Sequence, residues 1–431
     1  MRLKIRNRLL EDAFLLLSGN SINAACQLAT TLLLANTLSS TGWGTLAVII
    51  SFVQVIETLF AAKSWQLVSS HALAHLKHSP RRFSAHFSGY FCTEICSNAV
   101  ATGIAMMVLP LAFGLANLNE TYISAGSIYA LSILFRFSGS AGAILRQTGK
   151  YHWQSLHAAT LGIARLTGFA ITLSFSHDPA ILLTCLFIIE SIWHIGLTFL
   201  AGIVLTQHGI QLRNLTHNVA RRLKHINIKL VVTSHCANLV KVTSREIDVI
   251  FVSAFSGPEI AGIIKVYKSV LRAILILSDP LANAAFSRFI NLQNEPQISA
   301  KIRLLILKLL ALGAAIATIS LATLLSALFV FWSDYSQLPS PTESGYFLTY
   351  SVGIWIAVAG FCLPPANLAL KRYSFALKLN CSVAFVYLAS LAILSPLYGA
   401  IGAGTAFAIA HVIWGLSYVL ALGKISQNSD V

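Results

Sequence analysis

Residues 241–272 place charged side chains inside two neighbouring apolar stretches, where charge is costly. A Lys, Arg or Asp near the middle of a membrane-spanning helix costs roughly 2.5–3.5 kcal/mol, so such residues persist mainly where they face a wet or protein-lined interior. In the first stretch Lys241, Arg245 and Asp248 stand at helical positions i, i+4 and i+7 and share one face. This spacing predicts a polar stripe that faces away from lipid.

The second apolar stretch repeats the pattern. Lys265, Lys268 and Arg272 stand at positions i, i+3 and i+7, which again fall on one helix face. A short turn at 256–259 makes the two predicted helices neighbours, so both stripes can line one cavity. Two acidic residues in these stretches cannot neutralise five bases. The excess positive charge therefore indicates an anionic ligand.

Pairing within the protein is the alternative explanation for these charges, through Arg245 with Asp248 or a Lys of the second stretch with Glu246. Other charges within predicted spans of the first half are Glu57, Lys63, Glu94, Arg136, Arg165 and Glu190. Arg165 with Glu190 would be a structural ion pair. Glu57 is a candidate to bind a coupling proton or Na⁺, and Asp248 and Arg136 are candidates for ion coupling or for pairing.

Motifs for other chemistry are absent from the sequence. It contains no nucleotide-binding Gly loop, nucleophile elbow or zinc motif, so we expect no ATP hydrolysis and no catalytic residues. The seven cysteines lie in apolar stretches without paired CxxC spacing, which favours neither a metal site nor a disulfide. We therefore expect no metal and no cofactor.

The elements that position these residues are predicted to be transmembrane helices. The chain is 56% hydrophobic and only 10% charged, which is typical of an integral membrane protein. Windows of about 20 apolar residues are needed to cross a bilayer. They lie near 13–38, 43–69, 89–113, 121–146, 153–175, 180–206, 228–254, 260–286, 304–331, 346–368, 375–395 and 399–422. The predicted fold class is an all-α polytopic membrane protein of about twelve spans.

The formal charge of +15 indicates membrane topology and not a nucleic-acid partner, because the basic residues occupy alternate connections between the predicted spans. The positive-inside rule then places both termini in the cytoplasm. The longest cytoplasmic connection divides the chain into two six-helix bundles. We predict bundles at 1–206 and 230–431, joined by an interfacial linker helix at 207–229.

One run of sequence carries a resemblance to a known family. The segment REIDVIFVSAFSGPEIAGIIKVYKSVLRAILILSDPLANAAFSRF at 245–289 resembles the seventh and eighth spans of Wzx-type polysaccharide flippases. The opening segment LLLSGNSINAACQLATTLLLANTLSSTGWGTLAV is similar to the first hairpin of the same family. These proteins form part of the multidrug/oligosaccharidyl-lipid/polysaccharide exporter superfamily.

The resemblance implies two bundles arranged as a V around a cationic cavity, with alternating access driven by an H⁺ or Na⁺ gradient. The implied substrate is an undecaprenyl-diphosphate-linked oligosaccharide, such as an O-antigen, capsule or exopolysaccharide repeat unit. It would move from the cytoplasmic to the periplasmic leaflet of the bacterial inner membrane. The basic residues that would attract its diphosphate are Lys241, Arg245, Lys265, Lys268 and Arg272. We expect a monomer whose partners are the lipid bilayer, this substrate and other polysaccharide-assembly proteins.

Two other functions are weighed against a flippase. A drug antiporter of the same superfamily would prefer an acidic pocket for its cationic ligands, whereas the charges at 241–272 are mainly basic. A membrane polysaccharide polymerase is an enzyme. Such an enzyme would be expected to have a large periplasmic loop that carries catalytic Arg residues. The longest external connection here, at 333–345, contains no Arg. We therefore expect a transporter and not an enzyme.

Overall fold

In the computed structural model, the described part of the chain is built from helices and contains no strand. The described residues are 2–62, 68, 79–116, 118–210, 246–292, 298–333, 341–369 and 372–427. This confirms the predicted all-α class. Within these residues, eight stretches are long and apolar enough to cross a membrane, and one of them, Ser374–Ala421, has 48 residues. The count of twelve and the orientation of the termini stay predictions.

The chain divides into two compact units, Met1–Ile247 and Asp248–Val431. The predicted linker helix at 207–229 lies outside the described residues beyond position 210. Unit 1 contains helices α1 (Arg2–Thr37), α2 (Ser40–Phe60), α3 (Pro80–Leu115), α4 (Ile123–Ala130), α5 (Ser132–Phe135), α6 (Ser138–Gln147), α7 (Tyr151–Leu173) and α8 (Pro179–Gln207).

The span predicted at 121–146 is not continuous. It consists of α4, α5 and α6, and the main break lies at Arg136 and Phe137, whose ψ angles are both 38°. No proline causes this break. The Ser138–Ser140 segment, Ser-Gly-Ser, has weak helix propensity, and its backbone N–H groups find an acceptor on another helix. A tertiary contact therefore supports an interruption that the hydropathy pattern concealed.

Helix α9, at 246–256, contains the boundary between Ile247 and Asp248 and is followed by Gly257 with φ of 88°; unit 2 begins within it. It continues through α10 (Pro258–Leu292), α11 (Ile298–Ser333), α12 (Pro341–Ala359), α13 (Leu363–Ala369) and α14 (Tyr373–Gln427). Helix α14 is interrupted at Gly399, where φ is 55° and ψ is −127°. This position separates the stretches predicted as two spans at 375–395 and 399–422.

The prolines within the apolar stretches have different consequences. Pro364 and Pro365 lie in the first turn of α13, directly after the break at 360–362, where a proline is tolerated in a helix. By contrast, α3 is assigned as helix through Pro110 and α10 through Pro280. The break at 360–362 is packed in an apolar cluster that includes Phe361, Cys362 and Leu363.

Candidate functional site

Arg136 is the centre of a buried ion-pair network in unit 1. Because it ends helix α5 at the break, its side chain can extend toward several helices. One guanidinium nitrogen, Nη1, donates to Glu57 Oε2 on α2, and Nη2 donates to Glu190 Oε2 on α8. Nη2 also lies 2.9 Å from the Tyr129 hydroxyl on α4. The network thus ties the broken span to two neighbouring helices.

Arg165 on α7 completes the network from the other side. Its Nη2 atom donates to Glu190 Oε1 at 2.7 Å, so Glu190 accepts from two guanidinium groups. The exposed fraction of the side chain is 3% for Glu190 and 14% for Glu57. Glu190 is therefore the more buried of the two carboxylates. The pairing of Arg165 with Glu190 is the structural pair that the sequence suggested.

Glu94 on α3 stabilises the other side of the break. Its carboxylate accepts hydrogen bonds from the backbone N–H groups of Gly139 at 3.0 Å and Ser140 at 3.2 Å, and from the Ser140 hydroxyl. These N–H groups belong to the first turn of α6, where a helix has no acceptors of its own. A negative charge is also favoured there by the helix dipole. Glu94 therefore acts as an N-terminal cap supplied by a different helix.

These side chains surround a cavity of about 210 Å³. The lining residues are Gln54, Glu57, Glu94, Arg136, Gly139, Arg165, Glu190 and His194. Three of them are carboxylates and two are guanidinium groups, so with neutral His194 the lining carries one formal negative charge. Buried charges of both signs around a polar cavity are typical of functional positions in membrane proteins.

The predicted basic stripe in unit 2 has a different environment. Lys268 on α10 is 1% exposed and forms an ion pair with Asp248 Oδ1 on α9, which is 0% exposed. The Lys268 ammonium also lies 5.9 Å from the centre of the Tyr350 ring. Neither of the pairings considered from the sequence included Lys268 with Asp248. This buried pair joins the two helices that flank the turn at Gly257.

The structure describes only two of the other four basic residues that the sequence predicts to bind an anion. Lys265 and Arg272 are half-buried on α10. Lys241 and Arg245 lie outside the described residues. The assignment of these side chains to an anionic substrate therefore stays a prediction. Within the described residues, no group of three or more His, Cys, Asp and Glu side chains could hold a metal ion.

The sequence pointed to Glu57, Arg136 and the Arg165 pair, but it did not group them into one site. It noted Glu94 only as an isolated charge, and it missed Tyr129, His194 and Gln54. His194 follows Glu190 by one helical turn, a spacing that could have indicated a shared face. Nothing in the spacing alone indicates that helices α2, α3, α4, α7 and α8 bring these groups together around Arg136.

No protein-family model and no curated protein sequence matches the chain. Solved structures do match it. The MATE multidrug transporter DinF-BH is 12% identical, with a TM-score of 0.64 over 97% of this chain and 95% of that one. The lipid II flippase MurJ, in an inward closed conformation, is 14% identical, with a TM-score of 0.65 over 98% of this chain and 87% of that one.

A further match is the Vibrio cholerae MATE transporter VcmN, 15% identical with a TM-score of 0.60 over 98% of this chain and 97% of that one. At such identities the likeness defines the fold. The chain therefore has the polytopic helical fold that is common to MATE transporters and MurJ. These are transporters and a flippase of the exporter superfamily that the sequence resembles.

Proposed function

We propose that this chain is an ion-coupled flippase for an undecaprenyl-diphosphate-linked oligosaccharide in a bacterial inner membrane. The substrate would pass from the cytoplasmic to the periplasmic leaflet by alternating access, driven by an H⁺ or Na⁺ gradient. The oligosaccharide would be a repeat unit of a surface polysaccharide. Its partners would be the substrate, the bilayer and other polysaccharide-assembly proteins, and the chain would act as a monomer.

The fold supports transport. The likeness to MurJ and to MATE transporters extends over nearly the whole chain. In addition, both units contain a broken helix within an apolar stretch, at 136–137 and at 360–362. Interrupted helices at corresponding positions of two halves are a general feature of secondary transporters, where they lie at substrate or ion sites.

The observation that carries the choice of an anionic substrate is the basic face of α10. Lys265, Lys268 and Arg272 share that face in a chain whose formal charge is +15. Guanidinium and ammonium groups attract phosphate oxygens through charge-assisted hydrogen bonds. Lys268 is held by Asp248, so Lys265 and Arg272 are the residues through which we test phosphate recognition.

A small-molecule antiporter of the MATE type is the second candidate function. The cavity of unit 1 favours it, because its lining carries more carboxylates than guanidinium groups and so suits a cationic ligand. The likeness to DinF-BH, with a TM-score of 0.64, is as strong as the likeness to MurJ. The two candidates differ in the sign of the substrate charge, so one experiment separates them.

The full chain would be reconstituted into liposomes with a fluorescent undecaprenyl-diphosphate oligosaccharide, and its movement between leaflets measured under an imposed ion gradient. A parallel reaction would measure uptake of a cationic dye. We expect lipid movement and no dye transport. The double variant Lys265→Gln with Arg272→Gln should slow lipid movement at least about tenfold, the effect of losing ~1.4 kcal/mol of phosphate binding.

The matched control removes the same charge elsewhere in unit 2, through Lys308→Gln with Lys378→Gln, two exposed positions. We expect this control to move lipid at the rate of the unmodified protein. Dye transport without lipid movement would overturn the proposed flippase function and favour the antiporter function. Equal lipid movement in both double variants would overturn phosphate recognition by α10.

A further inference from the structure

Two cysteine side chains on helix α3 contact each other. The sulfur atoms of Cys92 and Cys96 lie 3.8 Å apart, one helical turn from each other on the same side of the helix. Cys92 is half-buried and Cys96 is exposed. Both lie in His86–Leu115, the part of α3 that is long and apolar enough to cross a membrane. We propose that this pair is a dithiol site that binds a neutral, lipid-soluble trivalent arsenical across its two sulfur atoms.

The spacing of the pair suits a bridging atom better than a direct disulfide. A disulfide needs an S–S distance of about 2.05 Å, so the two sulfur atoms would have to approach by about 1.8 Å. Its Cβ atoms are usually about 3.5–4.5 Å apart, whereas residues four apart on a helix have Cβ atoms about 5–6 Å apart. An atom that bonds to both sulfurs at ~2.3 Å, the length of a Zn–S bond, spans up to ~4.6 Å. The pair can therefore be bridged while α3 stays helical.

The side of α3 that carries Cys96 is apolar and open. Ala99, Val100 and Gly103 follow Cys96 at positions i+3, i+4 and i+7, and all three are exposed. A Cβ added at Gly103 would meet no atom within 4 Å. These small side chains leave room beside the thiols for the organic group of the ligand. In a membrane-spanning helix such a surface meets lipid, so an apolar ligand reaches the thiols by partitioning into the bilayer.

A neutral ligand suits this position better than a metal ion does. The thiolate is the form of cysteine that binds a metal, so a metal ion would have to leave water and displace two thiol protons inside an apolar stretch. In the part of the chain that the structure describes, no third His, Cys, Asp or Glu joins the pair in a group that could hold a metal ion. A trivalent arsenical needs no third protein ligand, because its organic group fills that position.

The reaction is a condensation without oxidation or reduction. The oxygen of the arsenical R–As=O takes the proton of each thiol and leaves as water. Two As–S bonds form, while the arsenic stays trivalent and keeps its organic group. The product R–As(S–Cys)2 is neutral, so no charge is left in the apolar surface of α3.

The bridge would act on the turn of α3 that carries Glu94. This residue stands between the two cysteines in sequence, and its buried side chain lies on the opposite side of the helix, where it accepts from Gly139 and Ser140. A ligand that joins Cys92 to Cys96 fixes the same turn from the lipid side. We expect slower backbone hydrogen exchange at 92–96, because local opening would strain the bridge. The inference does not depend on the proposed transport function.

The test adds phenylarsine oxide to the full chain in lipid nanodiscs and records the intact mass. We expect one adduct, in which one phenylarsenic group replaces two hydrogens. The adduct should survive excess 2-mercaptoethanol, a monothiol, and be removed by 2,3-dimercaptopropanol, a dithiol. Cys92→Ser and Cys96→Ser should each weaken binding at least about 100-fold, because a single thiol loses the gain from a second, linked contact.

Two control variants locate the site. Cys381→Ser removes an exposed cysteine on α14 and should leave the adduct unchanged. Cys92→Ser with Val100→Cys recreates the i, i+4 spacing one turn further along the exposed side of α3, and it should restore binding. Thermal midpoints would check that each variant folds.

An adduct that 2-mercaptoethanol removes, or one that persists at full affinity in Cys92→Ser, would overturn the dithiol site. A wild-type mass lower by two hydrogens before treatment, in a form that Cys92→Ser abolishes, would overturn it as well, because the two sulfurs would then be bonded to each other. The comparison of the two displacing thiols uses the wild-type chain, so it decides the matter even where a variant does not fold.

Discussion

The break at 136–137 in unit 1 and the break at 360–362 in unit 2 meet the same physical requirement in opposite ways. A helix that restarts inside an apolar stretch exposes backbone N–H groups that need acceptors. In unit 1 the carboxylate of Glu94 accepts from Gly139 and Ser140. In unit 2 two of the donors do not exist, because Pro364 and Pro365 carry no N–H.

The remaining donors of the second break are satisfied locally. Leu363 N donates to Gly360 O at 2.9 Å, and Ala366 N donates to Cys362 O at 3.0 Å. Apolar side chains pack around this break and form part of the core of unit 2. The first break therefore depends on charges contributed by other helices, whereas the second depends mainly on its own sequence. A break supported by titratable groups can respond to a proton, and one supported by prolines cannot.

The ion pairs of the two units differ in the same way. In unit 2, Asp248 and Lys268 form a fully buried pair at 0% and 1% exposure. In unit 1, Arg136 is shared between two carboxylates beside a cavity. A shared guanidinium keeps a partner when one carboxylate is neutralised. Removing one member of the pair in unit 2 takes away the buried charge that the other faces, so we expect its loss to cost more.

The largest predicted effect tests this difference. Asp248→Ala should destabilise the protein by about 3–5 kcal/mol, because it leaves the Lys268 ammonium buried without its carboxylate. Glu57→Ala should cost less, about 1–2 kcal/mol, because Arg136 keeps Glu190 and Tyr129. Thermal midpoints and chemical unfolding in detergent would measure both. The control is Asp248→Ala with Lys268→Met, which should recover most of the loss. Equal losses for the two single variants would contradict the comparison.

An intermediate effect should follow from disturbing the cap of α6. In Gly139→Ala the added Cβ would lie 2.7 Å from Glu94 Oε1, which is too close for the carboxylate to stay in place. We expect a loss of about 1–3 kcal/mol, the cost of leaving buried backbone donors unsatisfied. Hydrogen exchange of the first turn of α6 should accelerate.

Gly142→Ala is the matched control for that variant. Gly142 lies on the same helix as Gly139, and its Cβ would lie 3.5 Å from Gln154 Nε2 on α7, an ordinary van der Waals contact. Alanine favours helix over glycine by about 0.5–1 kcal/mol, so the control should be neutral or slightly stabilising. A Gly139→Ala protein with normal exchange and stability would show that Glu94 is not needed to hold the break.

The smallest effect is expected at the second break. Pro364→Ala should cost about 0.4–1 kcal/mol, mainly because the unfolded chain gains conformational freedom. Pro364 is half-buried and directly follows residues of an apolar cluster. Thermal midpoints measured beside those of Gly139→Ala would show at which break the substitution costs more stability. A loss as large as that of Gly139→Ala would mean that the newly added N–H lacks an acceptor.

Parts of the fold were predictable because they follow from local composition. The hydropathy of each stretch indicated helices, and the break in the stretch at 346–368 directly precedes Pro364 and Pro365, residues whose local effect on a helix is known. The break at Arg136 was missed because no local residue forbids a helix there. Its support comes from Glu94, which is 45 residues away from Gly139 in sequence.

The candidate site was predictable only as separate charges. The sequence identified Glu57, Arg136 and the pair of Arg165 with Glu190. It did not show that Arg136 joins two carboxylates, because α2 and α8 supply them from 79 and 54 residues away. Likewise, the helical spacing placed Lys268 on a basic face, but its pairing with Asp248 depends on how α9 and α10 pack.

The sequence by itself determined that this is an all-helical membrane protein with costly charges inside its apolar stretches, because hydropathy and helical periodicity are local properties. Only the tertiary structure decided which charges meet. Side chains from helices distant in sequence set the charge balance of each pair, and that balance determines whether a buried group can exchange a proton. The difference between a shared guanidinium in unit 1 and a closed ion pair in unit 2 therefore arises from packing.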